Sequence, residues 1–219
     1  VASIALAITT STATQSVGLA VDDRPLAVRT MTWRRGQPRT LLRDITELLN
    51  EAGKVLHDVD RIVCDVGPGS FTGLRFSMAT ARALAWSLGI PCHGVGSLQT
   101  IAFMATQQGA QGPVLAVLPA RRRVVYARVG DVEAEVPHAE LPEFVDAAPD
   151  KPQAIAGPSA CLEELASLDL PQRPVPAPDI AAMLGLAETT KPVDWAALTP
   201  SYVALSQPER IANAAQSSR

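Results

Sequence analysis

The sequence predicts an α/β protein in which a three-stranded meander is followed by helices alternating with strands, and the theme is then repeated. Three observations predict it. Short apolar runs such as Ile4-Ala5-Leu6-Ala7-Ile8 are too brief for helices and too continuous for a half-exposed strand. Leu41, Leu42, Ile45, Leu48, Leu49 and Ala52 recur at the offsets of one helical face. Between a strand at Arg61–Val66 and a helix body at Leu74–Leu88 stands Gly67-Pro68-Gly69-Ser70-Phe71-Thr72-Gly73-Leu74-Arg75, whose glycines cannot continue a strand.

Taken in order, the first apolar run ends in Thr9-Thr10-Ser11-Thr12, a turn rich in hydroxyl donors. Val17–Val21 is a second strand, Asp22–Pro25 a turn, and Leu26–Trp33 a third strand by its alternation. Pro38 sits where a helix starts, and Gly53 stops it. After the strand at 61–66, Ser70 or Thr72 caps the next helix, which ends at Gly89 and Pro91. Ile90–Val95 is a strand, and Ser97 caps a helix running to Gly109. This β-β-β-α-β-α-β-α order gives a mixed sheet covered by helices, the ribonuclease-H-like arrangement.

Beyond Gly112-Pro113 the pattern restarts. Val114–Leu118, Val124–Val129 and Val132–Val136 form a second meander, with weaker helices near 140–147, 158–168 and 179–188. Four prolines between Pro171 and Pro178 mark a surface connector. The expected division is a first lobe at 1–110 and a second, degenerate lobe at 111–219, with the last residues able to pack back on the first.

Composition bounds the chemistry. With 219 residues, 47% of them hydrophobic, the chain can bury one large core or two modest ones. A net charge of -3 argues against gripping nucleic acid by bulk electrostatics. Cys64, Cys92 and Cys161 are far apart in apolar surroundings and read as reduced, buried thiols; no histidine or cysteine pair has zinc spacing. Val1–Ala7 lacks the features of a signal peptide, and no apolar window is long enough to span a membrane. A cytoplasmic protein is expected, with no membrane partner.

The glycine stretch puts a turn before a helix N-terminus, where free N–H groups can meet an anion or a partner's backbone; a close helix-to-strand contact explains it equally. It is neither a P-loop, since no Lys follows the last glycine, nor a dinucleotide fingerprint. Asp65 is the one carboxylate near it, either a ligand-side group or a residue bonding its own turn. Residues 1–21 hold no Asp or Glu, so the first turn offers hydroxyls alone, which touch phosphate but hold Mg²⁺ poorly. Asp44, Glu47 and Glu51 lie on the solvated side of their helix, with Arg43 four residues before Glu47. Arg121, Arg122 and Arg123 are the densest basic run, suited to phosphate or RNA, or to protecting an edge strand. Ala79, Ala81, Ala83, Ala85 and Ser87 make the 74–88 helix rich in small side chains, which allows close approach by its own sheet or by a partner.

The nine-residue stretch at 67–75, entered through Asp58-Val59-Asp60-Arg61-Ile62, resembles the signature of the bacterial TsaB (YeaZ) family. The resemblance extends to Ile8–Thr12, Gly94–Leu98, Ala120–Tyr126 and Pro200–Val203. It implies the actin-like ATPase (ASKHA) fold, with two ribonuclease-H-like lobes. It also implies a non-catalytic scaffold: the partner and activator of the TsaD transferase in forming threonylcarbamoyladenosine beside the anticodon of tRNA. TsaE joins that assembly, tRNA is met through the complex, and family members dimerise with themselves or with TsaD through first-lobe helices. Here those helices are 38–53 and 72–88. The interface residues implied are Thr40, Arg43 and Glu47 on the first, and Met78, Ala81, Arg82 and Ala85 on the second. The chain is then no enzyme by itself and has no cofactor of its own, ATP and metal belonging to TsaD. The rival is an independent ATP-binding phosphotransferase; a third reading, a metallopeptidase, has neither His-Glu-x-x-His nor clustered histidines to support it. Three family positions depart: Thr9 and Pro119 stand where Asp is usual, and Gln37-Pro38 where His-Ser is common.

Overall fold

Ile4–Thr9 (β1) is buried at every position and lies at the centre of a five-stranded sheet. It pairs antiparallel with Thr14–Val21 (β2), which pairs antiparallel with Arg24–Thr32 (β3). On its other side β1 runs parallel to Arg61–Gly67 (β4), and β4 to Cys92–Gly96 (β5), so the order is β3-β2-β1-β4-β5. A second sheet repeats this order. Val114–Arg121 (β6), Val124–Val129 (β7) and Val132–Pro137 (β8) form the meander, and β6 pairs parallel with Ala154–Gly157 (β9), which pairs parallel with Gln172–Pro174 (β10). The sheet is therefore ribonuclease-H-like, twice. The computed structural model describes residues 2–22, 24–32, 40–201 and 203. The expected helix start at Pro38, and Trp33 at the end of the third strand, lie outside them.

Two elements correct the sequence reading. β9 is only four residues long, too short for any periodicity to reveal. The proline-rich segment is not a plain connector: it holds β10, an edge strand where prolines are tolerated because their carbonyls still accept. Pro171 O receives the Ile155 N–H at 2.9 Å, and the Val175 N–H reaches Gly157 O at 2.8 Å.

Alternation along β1 sorts the core. Ile4, Leu6 and Ile8 face Leu41–Glu51 (α1) and Phe71–Leu88 (α2). Ala5 and Ala7 face the other way, against Ile180–Ala187 (α6). Small residues on that face let α6 come close: a Cβ at Gly18 would stand 2.4 Å from the Ile180 side chain. Ser97–Gln107 (α3), by contrast, lays Leu98, Ile101 and Ala105 on Val114, Ala116, Ala154 and Ala156 of the second sheet. Each sheet is thus covered on one face by a helix from the other half of the chain. Burying side chains of the Leu and Ile type contributes about 1.5–3 kcal/mol each, so each borrowed helix stabilises the face of the sheet it covers. Leu141–Ala147 (α4) and Ser159–Glu164 (α5) close the remaining face of the second sheet.

After α6 the chain runs back along β5. Val193 exchanges both backbone hydrogen bonds with Cys92, covering part of the edge of the first sheet. Arg61 pairs with Glu188 at 2.8 Å, and His93 Nδ1 lies 3.1 Å from the Thr190 hydroxyl. Burial, and then the charge of Arg61, hold the His93 imidazole below its ordinary range. The unfolded chain therefore binds this proton more readily, and the neutral ring's contribution is lost as the pH falls through the unfolded value of about 6.5. The urea midpoint should decline between about pH 7 and about pH 5, and His93→Gln should flatten that decline. An identical pH profile for the variant would remove His93 from this account.

Candidate functional site

The glycine stretch forms the turn between β4 and α2. Ser70 is the N-cap of α2, its Oγ accepting the Gly73 N–H at 3.2 Å, and Gly89 ends the helix in the left-handed conformation, as the sequence predicts. What the turn meets is the protein's own first turn. The Ser70 N–H donates to Ser11 O at 2.6 Å, and the Thr10 hydroxyl donates to Gly73 O at 2.6 Å. A Cβ on Gly69 would lie 2.3 Å from Ser11 O, and one on Gly73 1.9 Å from Thr10 O. These two glycines are required by backbone-to-backbone contact.

Asp65 is the polar centre beneath this contact. Its side chain is buried, and four donors converge on it from three elements. Thr9 Oγ1 donates at 2.7 Å, Ser97 Oγ at 2.5 Å and the Gly67 N–H at 2.9 Å, with Ser11 also contributing. Burial raises the Asp65 pKa above the usual carboxylate range, while those donors pull it back. Two sequence expectations are corrected here. Thr9, Thr10 and Ser11 are buried and turned inward, so they do not face solvent as a phosphate-contacting loop. Ser97 is the first residue of α3 and makes no cap; its hydroxyl serves Asp65. Among the described residues no three His, Cys, Asp or Glu side chains stand together to hold a metal. The three cysteines are free and buried, with Cys92 pushed up to about 11 by burial.

The two helices flanking the turn distribute the remaining residues of interest. On α1, Arg43 is exposed and pairs with Glu47 at 3.6 Å, while Glu47 and Glu51 also take Arg29 of β3. Asp44 is corrected: it is buried, receiving Gln15 Nε2 at 2.6 Å and Thr40 Oγ1 at 2.8 Å. Leu42 is corrected in the opposite sense, being 60% exposed. On α2, Met78, Ala81 and Ala85 are buried in the core against the sheet. Arg82 is half-buried with its guanidinium 5.7 Å from the Trp195 ring.

The face of α2 that does meet solvent is a different stripe. Phe71, under the Arg75 guanidinium at 3.9 Å, begins it; Ala79 and Ala83 form its shallow middle; Trp86, 67% exposed, ends it. Trp86 meets Trp195 edge-on with ring centroids 6.5 Å apart. Trp195 comes from far along the chain, so no local pattern announces it. The tighter packing of the turn predicts a ranking. Gly73→Ala should lower unfolding stability by about 3 kcal/mol. Gly89→Ala, strained only by its left-handed backbone, should cost about 1–2 kcal/mol. Equal effects in denaturant titrations would refute the turn-on-turn contact.

Comparison with known proteins agrees with this geometry. The family model described as "TsaD: tRNA N6-adenosine threonylcarbamoyltransferase" matches residues 35–217. A protein of Mycobacterium leprae is 39% identical over 150 residues, covering 66% of this chain and 40% of its own length. The tRNA threonylcarbamoyladenosine biosynthesis protein TsaB of Bacillus subtilis is 35% identical over 121 residues, 55% of this chain and 52% of that protein. The match thus spans about half or less of either relative. Among solved structures, YeaZ from Pseudomonas aeruginosa superposes with a TM-score of 0.74 at 32% identity, covering 91% of this chain and 99% of that one. The doubled ribonuclease-H-like sheet is the layout of the actin-like ATPase fold. With its glycine turn, duplicated sheet and near-complete overlap with YeaZ, the chain belongs to the TsaB (YeaZ) family.

Proposed function

We propose that this chain is a non-catalytic scaffold subunit in the formation of threonylcarbamoyladenosine in tRNA, docking on and activating a TsaD transferase in the cytoplasm. The pathway product is the one for which its B. subtilis relative is named. The observation that carries the scaffold reading is the use made of the glycine turn. Its Ser70 and Gly73 N–H groups, the ones a helix N-terminus would aim at a phosphate, are spent on Ser11 O and Ser70 Oγ. Asp65, the carboxylate a metal would need, is enclosed by four donors. Such an arrangement supports holding a shape better than turning over a nucleotide. ATP and metal are then the partner's, TsaE and tRNA are met in the assembly, and a homodimer through the same face is the resting form.

The docking face is the exposed stripe of α2 with the outer side of α1. Small residues in its middle allow another helix to approach, and aromatic groups at its ends supply anchors. Ala79→Glu and Ala83→Glu, both exposed, should leave the thermal transition unchanged and weaken association with the cognate TsaD at least about tenfold. Differential scanning calorimetry reads the first result, and size-exclusion chromatography with light scattering reads the second. Absence of any complex with wild-type chain, or ATP turnover by the chain alone, would sink the proposal.

A further inference from the structure

Where α1 rests on β2, two buried oxygens are left without donors. Gln15 of β2 is 4% exposed, and Asp44, in the first turn of α1, is 2% exposed. Gln15 Nε2 donates to Asp44 Oδ2 at 2.6 Å, and the Thr40 hydroxyl donates to the same oxygen at 2.8 Å. Asp44 Oδ1 and Gln15 Oε1 remain, both enclosed and neither meeting a donor among the described residues. The Nε2–Oδ2 bond holds the two side chains together. Each remaining oxygen stands only about 2.2 Å from its bonded sibling, as carboxylate and amide geometry requires, so the two are close neighbours.

The charge at this place is also unbalanced. Arg29 pairs with Glu47 at 2.5 Å and with Glu51 at 2.6 Å, and Arg43 stands 3.6 Å from Glu47. Two guanidiniums thus answer two carboxylates, and Asp44 takes part in no ion pair among the described residues. The N-terminal end of a helix supplies about half an elementary charge, which leaves part of a buried carboxylate's charge unmet. A water molecule can donate to both oxygens but brings no charge. The pair offers hard oxygens, with one formal charge and neither thiolate nor imidazole. Such a set suits an alkali cation better than a transition metal or a divalent ion that needs several carboxylates.

We propose that Asp44 and Gln15 form a site for a monovalent alkali cation, sodium or potassium, bonded to Asp44 Oδ1 and Gln15 Oε1. Bound there, the ion answers the leftover charge and both bare oxygens at once, and it joins β2 to the start of α1. Apolar residues would fill the same place in the core with no such demand, so packing alone does not account for the pair. The site belongs to α1 and β2 and does not rest on the docking role of α2.

The test is differential scanning calorimetry of the full chain in the chlorides of sodium, potassium and tetramethylammonium at equal ionic strength. Tetramethylammonium is too large for a buried site and sets the baseline. The midpoint should be at least about 3 °C higher in sodium or potassium, and the gain should saturate with concentration. A gain in sodium alone assigns sodium, a gain in potassium alone assigns potassium, and a gain in both assigns an unselective alkali site. Asp44→Asn removes the charge and carries an amide able to donate to Gln15 Oε1, so it should fold and lose the gain. Equal midpoints of the wild-type chain in all three salts, or a gain that Asp44→Asn retains, overturns the proposal. If Asp44→Asn folds poorly by circular dichroism, thallium(I) soaked into crystals of the wild-type chain is read instead. An anomalous peak bridging the two oxygens supports the site, and a water or nothing in that position overturns it. The docking assay changes α2 and leaves this pair intact, so failure of one result leaves the other readable.

Discussion

The contact between two turns, residues 9–12 against 67–73, is the constraint on which the rest of the first sheet depends. Backbone approaches backbone so closely that side chains are excluded at Gly69 and Gly73. The carboxylate of Asp65 lies under this contact and gathers hydroxyls and an N–H from β1, the end of β4 and the start of α3. A buried carboxylate without donors would cost several kcal/mol, so each donor stabilises the position of the element that carries it. The ends of β1, β4 and α3 are consequently held in one register, and α2 leaves the turn in a fixed direction.

That direction matters for assembly. Because the turn anchors the N-terminus of α2, the inward residues Met78, Ala81 and Ala85 seat on the sheet, and the outward Phe71, Ala79, Ala83 and Trp86 form a continuous face. Trp195, brought by the returning chain, braces the far end of that face. The exchange of α3 and α6 between the sheets ties the two halves together, so a face built on the first sheet also reports on the integrity of the second. In that second sheet Arg121–Arg123 lead into β7, which lies between β6 and β8, so they protect no edge strand.

Much of this was legible in the chain because it follows from local rules. Gly89 reads as a helix end, Ser70 as a cap, and both meanders as strands, since each depends on neighbours within a few residues. The apolar stripe of α1 placed its helix correctly but misassigned its borders: periodicity put Leu42 inside and Asp44 outside. The sheet surface beneath, with Gln15 projecting from β2, decides the reverse. The four-residue β9 and the proline-bearing β10 gave no period to detect, and pairing alone makes them strands, β9 with β6 and β10 with β9.

By itself, the sequence determined the order of elements, the repeated meander and the positions where backbone must be bare, because propensity, period and glycine content act over short range. Only the tertiary structure decided what the bare backbone touches, which side of α2 is outward and what Thr9 and Ser97 bond. Those outcomes depend on groups 32 and 56 residues apart. Distance in sequence carries no signal until folding places both groups beside the same carboxylate.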